Sequence, residues 1–431
     1  MSEILQRNLA VLEQRWPDMA QRLLRENADA VPAQLIEGQG STLSVAGIQL
    51  TSRHDRVAEA RLQAASLPVD SSQVHLYGTA LGDLQRVLLA CESLRVLHVH
   101  ILNGALFSLV LRLLEQQDWL SDPRVVLAYA DAATEIRLPF FALPAELVLA
   151  DDSSARIRDR LVSEVHVGFN NQAFSPDNPD NVRMLEQGKG LLLGDADVAD
   201  LFGSEPGREA FVIATGPSLQ QHLPRLAATF RDPKRPLLIC VDTAYLPLRR
   251  QGVRPDVVVS IDHRISTRHL PPDDTAGIAL VYLPRQEAQM LMAWQGPRYA
   301  GYSSSPVYSR IRQQIPKADL HVGGSVIHPA VDLAVKMGAA RITLFGADFA
   351  FPGGKTHTGW QDGDLGPQLH VARHWVRDGR GEKVATQLNF RSYLIELERY
   401  IARHPEVQFF NTSREGALIA GTQFDPDWTA P

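Results

Sequence analysis

Phe211-Val212-Ile213-Ala214-Thr215-Gly216-Pro217-Ser218-Leu219 is an apolar run that breaks on Gly-Pro-Ser and passes into Gln220-Gln221-His222-Leu223. The pattern predicts a buried parallel strand, a tight turn and a helix start. The first N–H groups of a helix have no partner within it, so Ser218 stands where it either caps them or shares them with a phosphate. Downstream the alternation continues, with strands expected over 237–241, 257–261, 279–283, 320–322, 342–345 and 407–410 and helices between them, notably 327–337 and 388–403. Pro224 predicts that the helix after Ser218 is two short pieces, the second begun near Pro224.

Upstream lies a second alternation, strand 74–77, helix 81–89, strand 96–102, helix 106–114 and strand 125–128, which implies another parallel, Rossmann-like sheet. Its first turn, Gly78-Thr79-Ala80-Leu81-Gly82, is a degraded glycine loop. Ala80 stands where a middle glycine would let backbone approach a ligand, and Asn103 follows the second strand where an acidic residue would hold a ribose. Ahead of this sheet, residues 2–27 read as amphipathic helix with Pro17 opening a second segment, and 34–36 and 41–51 as short strands. Pro139, Pro144 and Asp151-Asp152-Ser153-Ser154 mark a break, followed by a helix over 156–168 and a loop over 170–181. The expected fold is therefore α/β, with two Rossmann-like domains of mostly parallel sheet, a helical N-terminal lead-in and a C-terminal helix. The expected divisions are 1–70, 71–203 and 204–431.

Composition narrows the function. The 431 residues are enough for two or three domains, and 45% apolar with 21% charged is ordinary globular usage. A net charge of −6, from 43 basic and 49 acidic residues, argues against a general nucleic-acid-binding surface. Cys91 and Cys240 each sit in an apolar run and read as buried thiols in a reducing compartment. No run approaches the roughly 18 apolar residues of a membrane span, and the charged start lacks a signal-peptide core, so a cytoplasmic protein is expected.

Open parallel sheets bind ligands beyond the carboxyl ends of their strands. Those tips carry Gly216-Pro217-Ser218, then Asp242-Thr243, then Asp262-His263 after Ser260-Ile261, then Gly346-Ala347-Asp348, while Gly323-Gly324-Ser325 opens the helix at Ile327. Together they predict a crevice with two helix N-termini, carboxylates and a histidine, a nucleotide site with groups for catalysis. His357 lies in a nearby loop as a further candidate for proton transfer. Asp362-Gly363-Asp364 has the Asp-x-Asp form that holds a divalent ion in many sugar transferases, but it sits in a Gly-rich loop, and no metal site is expected there. His98 and His100 share a strand face without an acidic or Cys partner at metal-ligand spacing.

The ordered set Ile213 to Leu219, Val241-Asp242-Thr243-Ala244, Gly252 to Asp256, Val259 to Asp262, Gly323 to Val326 and Leu344 to Ala350, with Lys355 and His357, resembles the motility accessory factor (Maf) family of flagellin glycosyltransferases. Asn8-Leu9 to Trp16-Pro17 and the loop at Gly78 are similar to that family's N-terminal part, so the likeness covers most of the chain. The C-terminal domain also resembles archaeal 6-hydroxymethylpterin diphosphokinases and, remotely, bacterial sialyltransferases that use CMP-sugars. In the latter a Gly-Pro-Ser-Leu turn, a residue matching Asp242 and a Ser-Gly turn near Gly324-Ser325 surround the nucleotide. Their catalytic His would fall near 381–387, where this chain has none, and Thr215 stands where the family shows smaller residues.

The resemblance implies a CMP-activated nonulosonic acid of pseudaminic or legionaminic type as donor and flagellin Ser or Thr hydroxyls as acceptor, with no metal and no separate cofactor. Gly216, Pro217, Ser218, Asp242, Thr243, Asp262, His263, Gly323, Gly324 and Ser325 would bind the donor. His357, Asp348 and Asp262, in that order, are the candidate bases. A diphosphokinase would instead need ATP and magnesium on Asp262, Asp348 and Asp362. A methyltransferase would place its chemistry at Gly78–Gly82, and a flagellin-binding factor without catalysis would keep the fold alone.

Overall fold

Short runs of branched apolar residues form the strands, and longer amphipathic segments form the helices that cover them. The computed structural model describes residues 2–130, 136–162, 164, 175–371 and 374–429. The chain divides into two units, Met1–Val165 and His166–Pro431. In the first, helices Glu3–Arg15 and Pro17–Arg25 precede an antiparallel group of β1 (Ala33–Ile36), β2 (Thr42–Val45) and β3 (Ile48–Gln49). A four-stranded parallel sheet follows, made of β4 (Gln73–Tyr77), β5 (Val96–Ile101), β6 (Val125–Tyr129) and β7 (Phe140–Ala142) in the order β6-β5-β4-β7. The edge strand β7 is missing from the sequence reading, since three residues after Pro139 leave no alternation to detect.

The second unit holds nine parallel strands in the order β18-β17-β14-β9-β10-β11-β12-β13-β8. These are β8 (Ala196–Asp197), β9 (Glu209–Ile213), β10 (Leu237–Val241), β11 (Val257–Ser260), β12 (Ala279–Tyr282), β13 (Arg298–Ala300), β14 (Arg341–Phe345), β17 (Gln408–Asn411) and β18 (Gln423–Phe424). The hairpin β15 (His374–Arg377) and β16 (Lys383–Thr386) stands apart from the sheet. Ile239, Cys240, Val258 and Val259 are wholly buried, as expected of a sheet covered on both faces. From β9 the chain steps through β10 to β13 on one side, then crosses to β14 on the other. The reversal between β9 and β14 puts a crevice at their carboxyl ends.

Four sequence expectations change. The boundary near 203 falls inside the second unit, because β8 pairs with β13 and Leu185, Leu192 and Val198 belong to that unit's core. Residues 320–322 are not a strand; only Tyr302 and Asp319 form an isolated bridge there. Leu219–Thr229 is one helix despite Pro224. Pro224 and Gln220, the residue whose carbonyl loses its helical partner to the proline, are both exposed, so the cost of the lost bond is small where water can reach it. Cys240 is buried but Cys91 is only partly so, and both thiols are free. The loop expected over 170–181 lies outside the described residues as far as 174. Among the described residues no helix is long and apolar enough to cross a membrane.

Candidate functional site

At the β9–β14 reversal the two strand tips are tied together by a carboxylate. The Ser218 N–H donates to Asp348 Oδ2 at 2.8 Å and its hydroxyl donates to Oδ1 at 2.6 Å. The carboxyl of Asp348 is buried, and burial raises its pKa to about 6 although the Ser218 and Ser413 donors pull it back. Ser218, expected to hold a phosphate, therefore has both donors occupied from within the protein. Neither it nor Pro217 lines either of the two cavities near these strand tips. Gly216 is needed for another reason than ligand approach, since a Cβ there would run into the Gly346 carbonyl and the Asp348 carboxylate.

The principal cavity, about 510 Å³, opens one strand further along, over the tips of β10 and β11. Asp242 forms its floor. Its Oδ1 accepts the Thr243 N–H at 2.7 Å and its Oδ2 accepts the Ser260 hydroxyl at 2.8 Å. Burial raises this carboxyl to about 7, with the Asp262 charge adding to the rise and the hydrogen bonds opposing it. Thr243 also lines the cavity, and its carbonyl accepts Trp360 Nε1–H at 2.9 Å, which fastens the loop after β14 over the site. Asp262 is held by Arg264 (Nη2 to Oδ2, 2.6 Å). Burial pushes its pKa up, but the Arg264 contacts more than offset this and leave it lowered. His263 is exposed and lies off the cavity wall.

Two helix starts meet on the opposite wall. Gly324 and Ser325 precede helix Ile327–Lys336, and Gln387 and Asn389 open helix Leu388–Ala402. Gly324 has φ +93°, and a side chain there would strike the Tyr393 ring, so glycine is required both by conformation and by contact. His328, buried and with its pKa lowered by burial, bridges the two ends as a neutral ring: Nδ1 accepts the Ser325 N–H at 3.2 Å and Nε2 donates to the Tyr393 carbonyl at 2.9 Å. Gly323 packs behind this turn against Glu396 and His328.

His357 borders both the principal cavity and a smaller one of about 90 Å³ that reaches back to Gly216 and Gly346. Its Nδ1 has no hydrogen-bond partner among the described residues, and burial alone lowers its pKa to about 4, so the ring is neutral near pH 7. Of the three candidate bases it is the one with an unengaged atom at the site. Asp362 Oδ1 accepts the Leu369 N–H at 3.1 Å, and Asp364, which lines the principal cavity, accepts the Gln361 N–H on Oδ2 at 3.1 Å and pairs with Arg268 through Oδ1 at 3.2 Å. Among the described residues no three His, Cys, Asp or Glu side chains converge on a metal position. Gln387, Asn389, Tyr393 and Arg264 were not singled out from sequence. The only signal was the polar start of the helix at 388, which reads as an ordinary helix beginning.

In the first unit the glycine-like loop is also filled from within. Glu146 is fully buried, its Oε1 accepts the Thr79 N–H at 2.7 Å and also the Ala80 N–H, and burial raises its pKa. A carboxylate of the protein thus takes the backbone donors that the phosphate of a dinucleotide would use.

A family model described as 6-hydroxymethylpterin diphosphokinase MptE-like matches residues 185–354. The matched span carries Gly216, Asp242, Asp262, Gly324 and Asp348 and ends just before His357. None of the curated proteins compared matches this chain. Among solved structures, one described as a MAf glycosyltransferase from Magnetospirillum magneticum AMB-1 is similar at 14% identity and a TM-score of 0.46, over 100% of this chain and 75% of its own. The family description is one that the motif order of the C-terminal part resembles.

Proposed function

We propose that this protein is a glycosyltransferase that moves a nonulosonic acid of pseudaminic or legionaminic type from a CMP-activated donor to Ser or Thr hydroxyls of flagellin, in the service of flagellum assembly and motility. The observation that carries this reading is the neutral His357, whose ring borders a cavity walled by two helix starts and whose Nδ1 is buried without a hydrogen-bond partner among the described residues. In this reading the single phosphate of CMP lies against the starts of helices Ile327–Lys336 and Leu388–Ala402, whose positive dipole ends stabilise the charge that grows as it leaves. The bond from the anomeric carbon to the phosphate oxygen breaks, and positive charge develops on the sugar. His357 takes the proton of the acceptor hydroxyl as the new carbon–oxygen bond forms. Asp242 and Thr243 line the floor for the nucleoside, and no step calls for a metal or a separate cofactor.

The test is a melting-temperature comparison of the whole chain with CMP, CTP, ATP with and without magnesium, and S-adenosylmethionine, followed by transfer to flagellin read by intact mass. A ligand that binds only the folded state raises the melting temperature. CMP without metal is expected to do so. A pterin diphosphokinase is the second reading, favoured by the family match over 185–354. It would draw Asp262, Asp348 and Asp362 onto magnesium, away from the bonds they make here. Stabilisation by ATP with magnesium, and none by CMP, decides for it.

A further inference from the structure

His357 Nδ1 has no hydrogen-bond partner among the described residues, so no bond at that atom orients the ring, and the Phe390 ring stands edge-on to it at 6.4 Å. The backbone that carries the ring is held one residue further along. Thr358 is 3% exposed. Its N–H donates to the Thr215 carbonyl at 2.8 Å, and its hydroxyl donates to the Gly216 carbonyl at 2.9 Å with the Pro217 carbonyl 3.2 Å away. Two residues on, Trp360 is fixed to the Thr243 carbonyl. The chain on the C-terminal side of His357 is thereby tied to the tips of both β9 and β10, while His357 itself borders the two cavities.

These bonds give the Gly216-Pro217-Ser218 turn a use other than phosphate binding. Its Ser218 donors are spent on Asp348, and the carbonyls of Thr215, Gly216 and Pro217, which would repel an anion, are turned to the loop after β14 and accept from Thr358. Two bonds from one residue to successive carbonyls stop the loop from pivoting about either of them. The branched Cβ of threonine restricts χ1 and keeps the hydroxyl aligned. Placement of this kind matters to a reaction step, since a shift of about 1 Å in a reacting group costs roughly 10²-fold in rate. We propose that Thr358 is a positioning residue for the transfer reaction, acting through His357 by fixing the chain beside it to the turn after β9. The inference rests on the reading of His357 as the base.

The test compares Thr358→Val, which keeps the shape and the N–H but loses the hydroxyl, with Thr358→Ser, which keeps the hydroxyl. Each full-length variant is assayed for transfer from a CMP-activated nonulosonic acid to flagellin, for CMP affinity by calorimetry and for melting temperature. In Thr358→Val kcat is expected to fall at least tenfold while donor KM and CMP affinity stay within threefold of the parent, and Thr358→Ser should restore kcat to within threefold. Amide exchange in the parent protein needs no variant and keeps the test open should Thr358→Val fail to fold: the Thr358 N–H should exchange at least 100-fold more slowly than its intrinsic rate. The inference alone is overturned if the parent transfers sugar and Thr358→Val does so at the parent kcat. It is overturned likewise if kcat and CMP affinity fall together, if Thr358→Ser behaves like Thr358→Val, or if the Thr358 amide is unprotected. A parent that binds no CMP and transfers no sugar overturns the transferase reading and this inference with it.

Discussion

Two carboxylates, Asp348 and Glu146, each occupy the turn after a central strand where sequence alone suggests a phosphate. Neither was visible in the local pattern, since Asp348 is 130 residues from Ser218 and Glu146 is 67 from Thr79. A turn motif records which donors are exposed, and the fold decides what meets them. Ser218→Ala should therefore cost about 1.5–3 kcal/mol, the worth of a hydrogen bond to a charged group, and leave CMP affinity within a few-fold of the parent. Urea unfolding beside calorimetry checks this, and a tenfold loss of affinity at unchanged stability would return Ser218 to the donor site. For His357→Asn the opposite split is expected: kcat down roughly 10²- to 10⁴-fold with donor affinity kept. The pH profile is a separate check. A base acts when deprotonated, and the His357 pKa is lowered to about 4, so kcat/KM should hold from pH 7 to near 5 and fall only toward 4. An acid limb near 6.5 that is still present in His357→Asn would exclude it as the base.

Secondary elements were legible in proportion to their length and burial. The strands β9, β10, β11, β12 and β14 stand out as branched apolar runs, whereas β7, β8, β13 and β18, of two or three residues, owe their existence to the neighbour they pair with. The histidines on β4 and β5 show how a pattern is read only in part. His98 and His100 evidently share a face, but His75 and Tyr77 join them from β4, paired in register His75 to His98 and Tyr77 to His100. The rings stack at 4.3–5.4 Å across that face. Burial, then the neighbouring rings, lowers His75 and His100 to about 4, and Arg137 adds to the effect on His75. The consequence for stability has a definite sign. Above about 6.5 the rings are neutral both folded and unfolded. Between 6.5 and 4 the unfolded chain takes up protons that the folded sheet refuses, so stability falls as pH falls. Hydrogen exchange of the β4 and β5 amides, corrected for intrinsic rate, should show lower protection at pH 5 than at 7.5, and His75→Phe should flatten the dependence. Asp242 and Asp348 in the other unit have raised values, about 7 and 6, and oppose this trend by favouring the folded state as pH falls toward 3.8. Protection of β10 and β14 should therefore not show the same acid loss.

At the scale of the whole chain, two parallel sheets differ at their strand tips: one has a cavity of about 510 Å³ there, the other one of about 140 Å³. The α/β class and the order of the strand tips followed from alternation, but the division between the units did not. Residues 179–201 fall to the 71–203 domain in the sequence reading because their strand is two residues long, too short for an alternation to show where it pairs. Physically they are part of the second sheet. Leu185, Leu192 and Val198 lie in its core, and burying three such side chains is worth on the order of 5 kcal/mol. Asp195 adds polar fastening, since its carboxylate accepts from Arg298 at 2.9 and 2.7 Å and from the Tyr282 hydroxyl at 2.8 Å. A loss of that size is comparable with the whole stability of many domains. A fragment of residues 166–431 should therefore unfold in one cooperative transition and bind CMP as the full chain does. A fragment of 204–431 should melt well below it or aggregate through the uncovered edge of β13. Calorimetric unfolding of the two fragments side by side distinguishes the boundaries. Equal melting temperatures would show that 179–201 is a passive connection and that the sheet is complete without β8.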